Sequence, residues 1–197
     1  MSPRSTRRAF LATTASVAGS WFTLDTSRAQ APLDPTPQCH DDHAVTLRQT
    51  EGPFFKPASP ERADLFEPGM VGQKIELVGF VLTRSCKPLP GALLDFWQAD
   101  NAGEYDDSGF RLRGHQFADA DGRFTLRSIV PAAYAGRTRH IHVKVQPKDG
   151  RILTTQLYFP GEPKNRSDSL FRKELLMRTA KNAGEVAGRF DFVLDLT

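Results

Sequence analysis

R-F-D-F-V-L-D-L, residues Arg189–Leu196, decides the fold of this 197-residue chain. Phe190, Phe192, Leu194 and Leu196 alternate with Arg189, Asp191, Val193 and Asp195, the period of two that puts every second side chain on one face of a strand. Further back, Phe124 and Leu126 alternate with Arg123, Thr125 and Arg127 in the same way. Lys74–Thr83, Ala92–Gln98, Ile141–Val145 and Leu153–Phe159 complete a set of short strands. Asp121-Gly122 and Asp149-Gly150 supply turn chemistry between them. One helix is expected, Leu170 to about Met177, with Ser167 or Ser169 capping its start. Many short strands, frequent turns and one short helix predict an all-β protein, a β-sandwich with irregular loops. The sequence contains no internal repeat, dinucleotide-binding loop, P-loop or G-x-S-x-G elbow.

The N-terminal residues read differently. S-T-R-R-A-F-L-A (Ser5–Ala12) sets two arginines directly before an apolar segment, and no charged residue follows between Ala9 and Leu24. That order, closed by small residues at Ala29 and Ala31, predicts a twin-arginine export signal over residues 1–29. Cleavage is expected after Ala29, because a cut at Ala31 would leave Pro32 as the first mature residue. The uncharged stretch is too short and polar to span a membrane well, so no span is expected once the signal is removed. Residues 30–46, with Pro32, Pro35 and Pro37, read as a tether to one domain at 47–197. The implied location is periplasmic or secreted. Cys39 and Cys86 are the only cysteines, and an oxidising compartment favours their pairing.

Removing the leader also changes the charge. It holds four arginines and one aspartate of the chain's 26 basic and 23 acidic residues, leaving 22 of each in the mature part. No basic run remains there to serve a nucleic acid, and none is expected as a partner.

The chemistry concentrates in His140-Ile141-His142. On a strand these two imidazoles share a face and can reach one metal, while Ile141, Val143 and Val145 face the core. Tyrosine usage sharpens the reading. The chain has 14 Phe and 3 Tyr, so a plain aromatic position takes Phe. Tyr105 nevertheless stands in a Gly- and Asp-rich loop, and Tyr134 six residues before His140. A phenolate is a hard anionic ligand suited to a hard cation such as Fe(III). A zinc site would favour thiolates or a third His, and an Fe(II) facial triad needs a carboxylate near the histidines. Two Tyr with two His is what remains. The rival classes are a sandwich used only for binding and a copper enzyme; the Tyr pair argues against the first, and the lack of further His or a Cys–Met set against the second.

Five ordered segments carry a resemblance: T-E-G-P-F-F (Thr50–Phe55), P-L-P-G-A-L-L-D-F-W-Q-A-D-N-A-G-E-Y (Pro88–Tyr105), D-G-R-F-T-L-R-S-I-V-P-A-A-Y (Asp121–Tyr134), G-R-T-R-H-I-H-V-K-V (Gly136–Val145) and T-Q-L-Y-F-P-G (Thr155–Gly161). Over roughly residues 47–197 the chain resembles the intradiol ring-cleavage dioxygenases, nearest to protocatechuate 3,4-dioxygenase subunits and their short secreted relatives. The resemblance implies Fe(III) held by Tyr105, Tyr134, His140 and His142, with Tyr134 and His142 axial. It places Arg137 and Gln156 as catalytic residues beside the metal. It further implies a small catechol-type substrate opened by O2 between its hydroxyls to a cis,cis-muconate-type diacid. The segment between Tyr134 and the His pair is shorter than in the protocatechuate and catechol enzymes, which predicts a more open pocket. Ala132, Ala133 and Ala135 depart from the family pattern at Tyr134. Which catechol is used, and whether the chain is a homo-oligomer, stay open.

Overall fold

The computed structural model describes residues 45–148 and 150–196; the expected leader, most of the tether, Cys39 and Asp149 lie outside them. Among the described residues nine strands form two sheets, as the alternation predicted: β1 Lys74–Thr83, β2 Leu93–Trp97, β3 Arg113–Phe117, β4 Arg123–Ile129, β5 His140–Gln146, β6 Leu153–Tyr158, β7 Arg178–Asn182, β8 Glu185–Arg189 and β9 Phe192–Leu194. One sheet runs β4-β1-β8-β7, with β9 pairing the far end of β1; the other runs β3-β2-β5-β6. Their inner faces meet in one apolar core, in which Leu77, Val81, Phe124 and Leu126 oppose Leu94, Phe96, Ile141, Val143 and Leu157. The Phe96 and Phe124 rings cross that interface at 5.7 Å between centroids. Each such buried aromatic or aliphatic side chain stabilises the sandwich by about 1.5–3 kcal/mol.

The Arg189–Leu196 alternation is interrupted. β8 pairs in parallel with Ile75–Val78 and β9 with Val81–Thr83, so β1 changes partner midway. At the break Phe190 N donates to Val78 O and the buried Asp191 carboxylate accepts from Phe80 N, replacing a ladder bond. Gly79 makes room: a Cβ there would lie 1.8 Å from Phe190 O. Val193 is buried as well, because the incoming chain covers it, with Thr46 N donating to Val193 O and Val193 N to Thr46 Oγ1.

The expected helix from Leu170 to Met177 does not form. That stretch holds one 3₁₀ turn, Lys173–Leu175, and a second such turn spans Pro163–Arg166. Met177 N donates instead to Tyr158 O, so the segment runs beside β6, and Asp168, rather than either flanking serine, accepts from Leu170 N. Tertiary contacts to β6 override helix propensity here. Asp121-Gly122 turns as expected, with Gly122 at φ +73° and Asp119 Oδ1 accepting from Asp121 N and Arg123 N. Among the described residues no helix is long and apolar enough to cross a membrane.

Candidate metal centre

β5 presents its two faces to different surroundings. Ile141, Val143 and Val145 point into the sandwich core, while His140 and His142 occupy the opposite face, yet both imidazoles are as buried as the core. They are covered by loops and by the Thr50–Phe55 segment. A Cβ on Gly52 would stand 3.5 Å from His142 Cε1, so glycine lets this backbone pass directly over the ring. Trp97 on β2 is in register with His142 and stacks flat on it, centroids 4.8 Å apart at 10°. Gln156 on β6 is its register neighbour on the other side.

Two loops bring in the tyrosines. The first leaves β2 and is tied by Asp100, whose Oδ1 accepts from Ala102 N and Glu104 N, with Gly103 at φ +89° against Tyr134. It ends in Tyr105, on which Phe54 stacks at 4.2 Å. Arg113, a buried cation, donates to Phe54 O and twice to Asp106 O, pinning both segments around that stack. Tyr134 precedes a two-residue turn in which Ala135 and Gly136 both have positive φ, +42° and +81°, closed by Arg137 N donating to Tyr134 O at 2.6 Å. Ala135 is one of the departures noted in the sequence, and it carries its Cβ in a left-handed conformation that favours glycine.

The four side chains expected to act together do come together. The Tyr105 and Tyr134 hydroxyls are 3.4 Å apart, and the His140 and His142 Nε2 atoms 3.1 Å apart. Ring centroids stand 5.7 Å apart for Tyr134 and His140, and 6.3 Å for Tyr105 and His142. His140 Nδ1 donates to Thr138 O at 2.7 Å, which leaves the Nε2 lone pair toward His142. His142 Nδ1 has no hydrogen-bond partner among the described residues. Burial, followed by the Arg137 charge, lowers His140 to about 4, and burial with the charges of His140, Arg137 and Arg113 holds His142 well below its usual value, so both are neutral near pH 7. Burial and the adjacent Tyr134 hydroxyl push the Tyr105 phenol up.

This donor set fits a metal ion. Two nitrogens about 2.1 Å from one ion and at right angles to it stand about 3 Å apart, as the two Nε2 atoms do. Among the described residues no three His, Cys, Asp or Glu side chains converge, so the oxygens beside this nitrogen pair are the phenols.

Arg137 and Gln156 meet beside the histidines: Arg137 Nη2 donates to Gln156 Oε1 at 2.5 Å. Gln156 Oε1 also accepts from Tyr158 Oη, and its Nε2 donates to Thr50 O, which fixes the amide orientation. Arg137 Nε donates to Asp168 Oδ2 at 2.9 Å. Sequence reasoning missed Asp168, Trp97, Phe54 and Arg113. Trp97 and Phe54 lay inside quoted segments; nothing local distinguished Asp168 or Arg113.

A family model described as Dioxygenase matches residues 50–196. The protocatechuate 3,4-dioxygenase beta chain of Burkholderia cepacia is 32% identical over 153 residues, covering 63% of this chain and 65% of that protein. The chlorocatechol 1,2-dioxygenase of Rhodococcus opacus is 34% identical over 159 residues, 63% of this chain and 60% of that one. The chain thus spans a little under two thirds of the length of these curated relatives. Among solved structures, the dioxygenase domain of a dioxygenase carbohydrate-binding protein fusion from Streptomyces sp. SirexAA-E is 55% identical, with a TM-score of 0.77 over 78% of this chain and 100% of that one. The 3-chlorocatechol 1,2-dioxygenase of Rhodococcus opacus 1CP is 29% identical, with a TM-score of 0.73 over 80% and 75%.

Proposed function

This chain belongs to the intradiol ring-cleavage dioxygenase family, and from that membership we propose that it holds Fe(III) through Tyr105, Tyr134, His140 and His142 and cleaves a catechol-type ring between its hydroxyls. The observation that carries this reading is the convergence of the two Nε2 atoms, 3.1 Å apart, beside a pair of phenol hydroxyls. Bound there, ferric iron would act as a Lewis acid on both catechol oxygens and make a ring carbon reactive toward O2, giving a cis,cis-muconate-type diacid without an outside electron donor.

The chain's own groups supply the rest. Phenols are weak acids, so tyrosines holding the ion would do so as phenolates, and Tyr134 Oη would be the atom that takes up the proton of a catechol hydroxyl. Arg137 contributes a fixed positive charge where negative charge develops on the ring. Trp97 and Phe54 stack on His142 and Tyr105 and keep water off those rings. The Ala135–Gly136 turn is exposed, and space beside Gly136 is empty, which supports a rim open to substituted catechols. Export as a folded, iron-loaded protein through the twin-arginine route is part of the same proposal and rests on residues 5–31.

Metal analysis and a visible spectrum of the purified protein test this reading. One iron per chain and a tyrosinate-to-Fe(III) charge-transfer band are expected, and Tyr105→Phe or Tyr134→Phe should shift or weaken the band. A colourless, fully active protein holding only zinc or copper would overturn it.

A further inference from the structure

The Arg137 guanidinium is anchored by a carboxylate from another part of the chain. Asp168 lies 31 residues downstream, in the loop after β6, and is among the most buried carboxylates described, its side chain 1% exposed. Its two oxygens take three hydrogen bonds: Oδ2 accepts from Arg137 Nε and Thr138 N, both at 2.9 Å, and Oδ1 from Leu170 N at 2.9 Å. Burial opposes its charge, but those donors hold its carboxyl below the ordinary value, so it is an anion near pH 7.

The geometry is specific to the guanidinium. Nε is bound to Asp168 and Nη2 to Gln156, on two different elements, which leaves Nη1 as the guanidinium nitrogen that neither of these two side chains takes; the Tyr158 hydroxyl, on the same Gln156 oxygen, also interacts with the group. Two anchors at a planar group fix its plane as well as its position. The same loop is tied a second time, independently of Arg137: Thr138 Oγ1 donates to Asn165 Oδ1 at 2.6 Å, and Asn165 Nδ2 to Phe159 O at 2.9 Å. Loop attachment and guanidinium orientation are therefore separable.

We propose that Asp168 is a positioning residue, holding the Arg137 guanidinium so that its Nη1 is the donor offered to negative charge on the reacting ring. This rests on the proposed role of Arg137. A buried ion pair between neighbouring elements costs desolvation and adds little net stability, so the contribution assigned to this pair is orientation.

The experiment compares iron-loaded wild type, Arg137→Ala, Asp168→Asn, the double variant and Asn165→Ala, measuring iron content, O2 uptake with catechol, kcat and KM. Asp168→Asn is expected to keep its iron and a KM within about threefold, to lose roughly 10- to 100-fold in kcat, and to lose nothing further in the Arg137→Ala background. Asn165→Ala should keep wild-type kcat. Equal losses from Asp168→Asn in both backgrounds, an unchanged kcat, or matching losses in Asn165→Ala would overturn the proposal. Should Asp168→Asn fail to fold, Asp168→Glu takes its place, with the same non-additivity expected and the same additivity contradicting it. An Arg137→Ala protein as active as wild type would instead sink the reading of Arg137 itself, and this inference with it.

Discussion

The Nε2 atoms of His140 and His142 lie 3.1 Å apart, and the other ring nitrogen of His140 is committed to Thr138 O. Two neutral imidazoles are thus aimed at one point in a buried site, an arrangement that an apolar core has no use for. A backbone carbonyl fixes the His140 tautomer, so Nε2 keeps a lone pair with which an ion could be bound. His140→Ala or His142→Ala should give folded protein without iron, measured by elemental analysis. Iron retained at one per chain by either variant would remove that histidine from the ligand set.

Acid should act on this site first. In chelator-treated protein His140, held at about 4 by burial, stays unprotonated while the unfolded chain takes up a proton near 6.5. Stability present above pH 6.5 is therefore lost as the pH falls toward 4. Asp168, lowered by its hydrogen bonds despite burial, contributes above 3.8 and loses that contribution as the pH drops further. The urea midpoint should fall between pH 7 and pH 5, and iron should leave the loaded protein over the same range as protons compete for the nitrogens. A midpoint constant across that range would contradict the burial argument.

Gly79→Ala should be severely destabilising, although it lies in a strand where alanine is ordinarily tolerated. The new Cβ would meet Phe190 O at 1.8 Å and Phe124 Cε1 at 2.9 Å, so β1 would have to part from the Phe190–Asp191 crossing. A loss of about 3 kcal/mol is expected, at the upper end for overpacking. Urea unfolding with a change under about 0.5 kcal/mol would show that the crossing is not constrained.

The sandwich was legible because a run such as Arg123–Arg127 carries its own alternation, which the burial of Phe124 and Leu126 follows. What could not be read depends on distant parts of the chain. Asp191 breaks the final strand by bonding a residue 111 positions away, and Leu170–Met177 gives up its helix to lie against β6. The four proposed metal ligands were legible because a hydroxyl or imidazole in those places has a chemical reason. Arg113 and Asp168 were not, since a buried arginine or aspartate looks like any surface charge until its partners are known.

The export proposal concerns residues outside the described part of the chain. Replacing Arg7 and Arg8 with lysine should hold the protein in the cytoplasm, and the mature periplasmic form should begin at Gln30. Cys86 is disulfide-bonded. Non-reducing mass spectrometry should find a Cys39–Cys86 bridge, which would contribute roughly 4 kcal/mol by loop closure. Two readily alkylated thiols in periplasmic protein would refute it.

Identification of the product from catechol and O2 bears most directly on the central claim. Iron-loaded protein should consume one O2 per ring and yield cis,cis-muconate, with both new carboxylates at the carbons that bore hydroxyls. Formation of 2-hydroxymuconic semialdehyde, the product of cleavage beside the hydroxyls, would contradict the account.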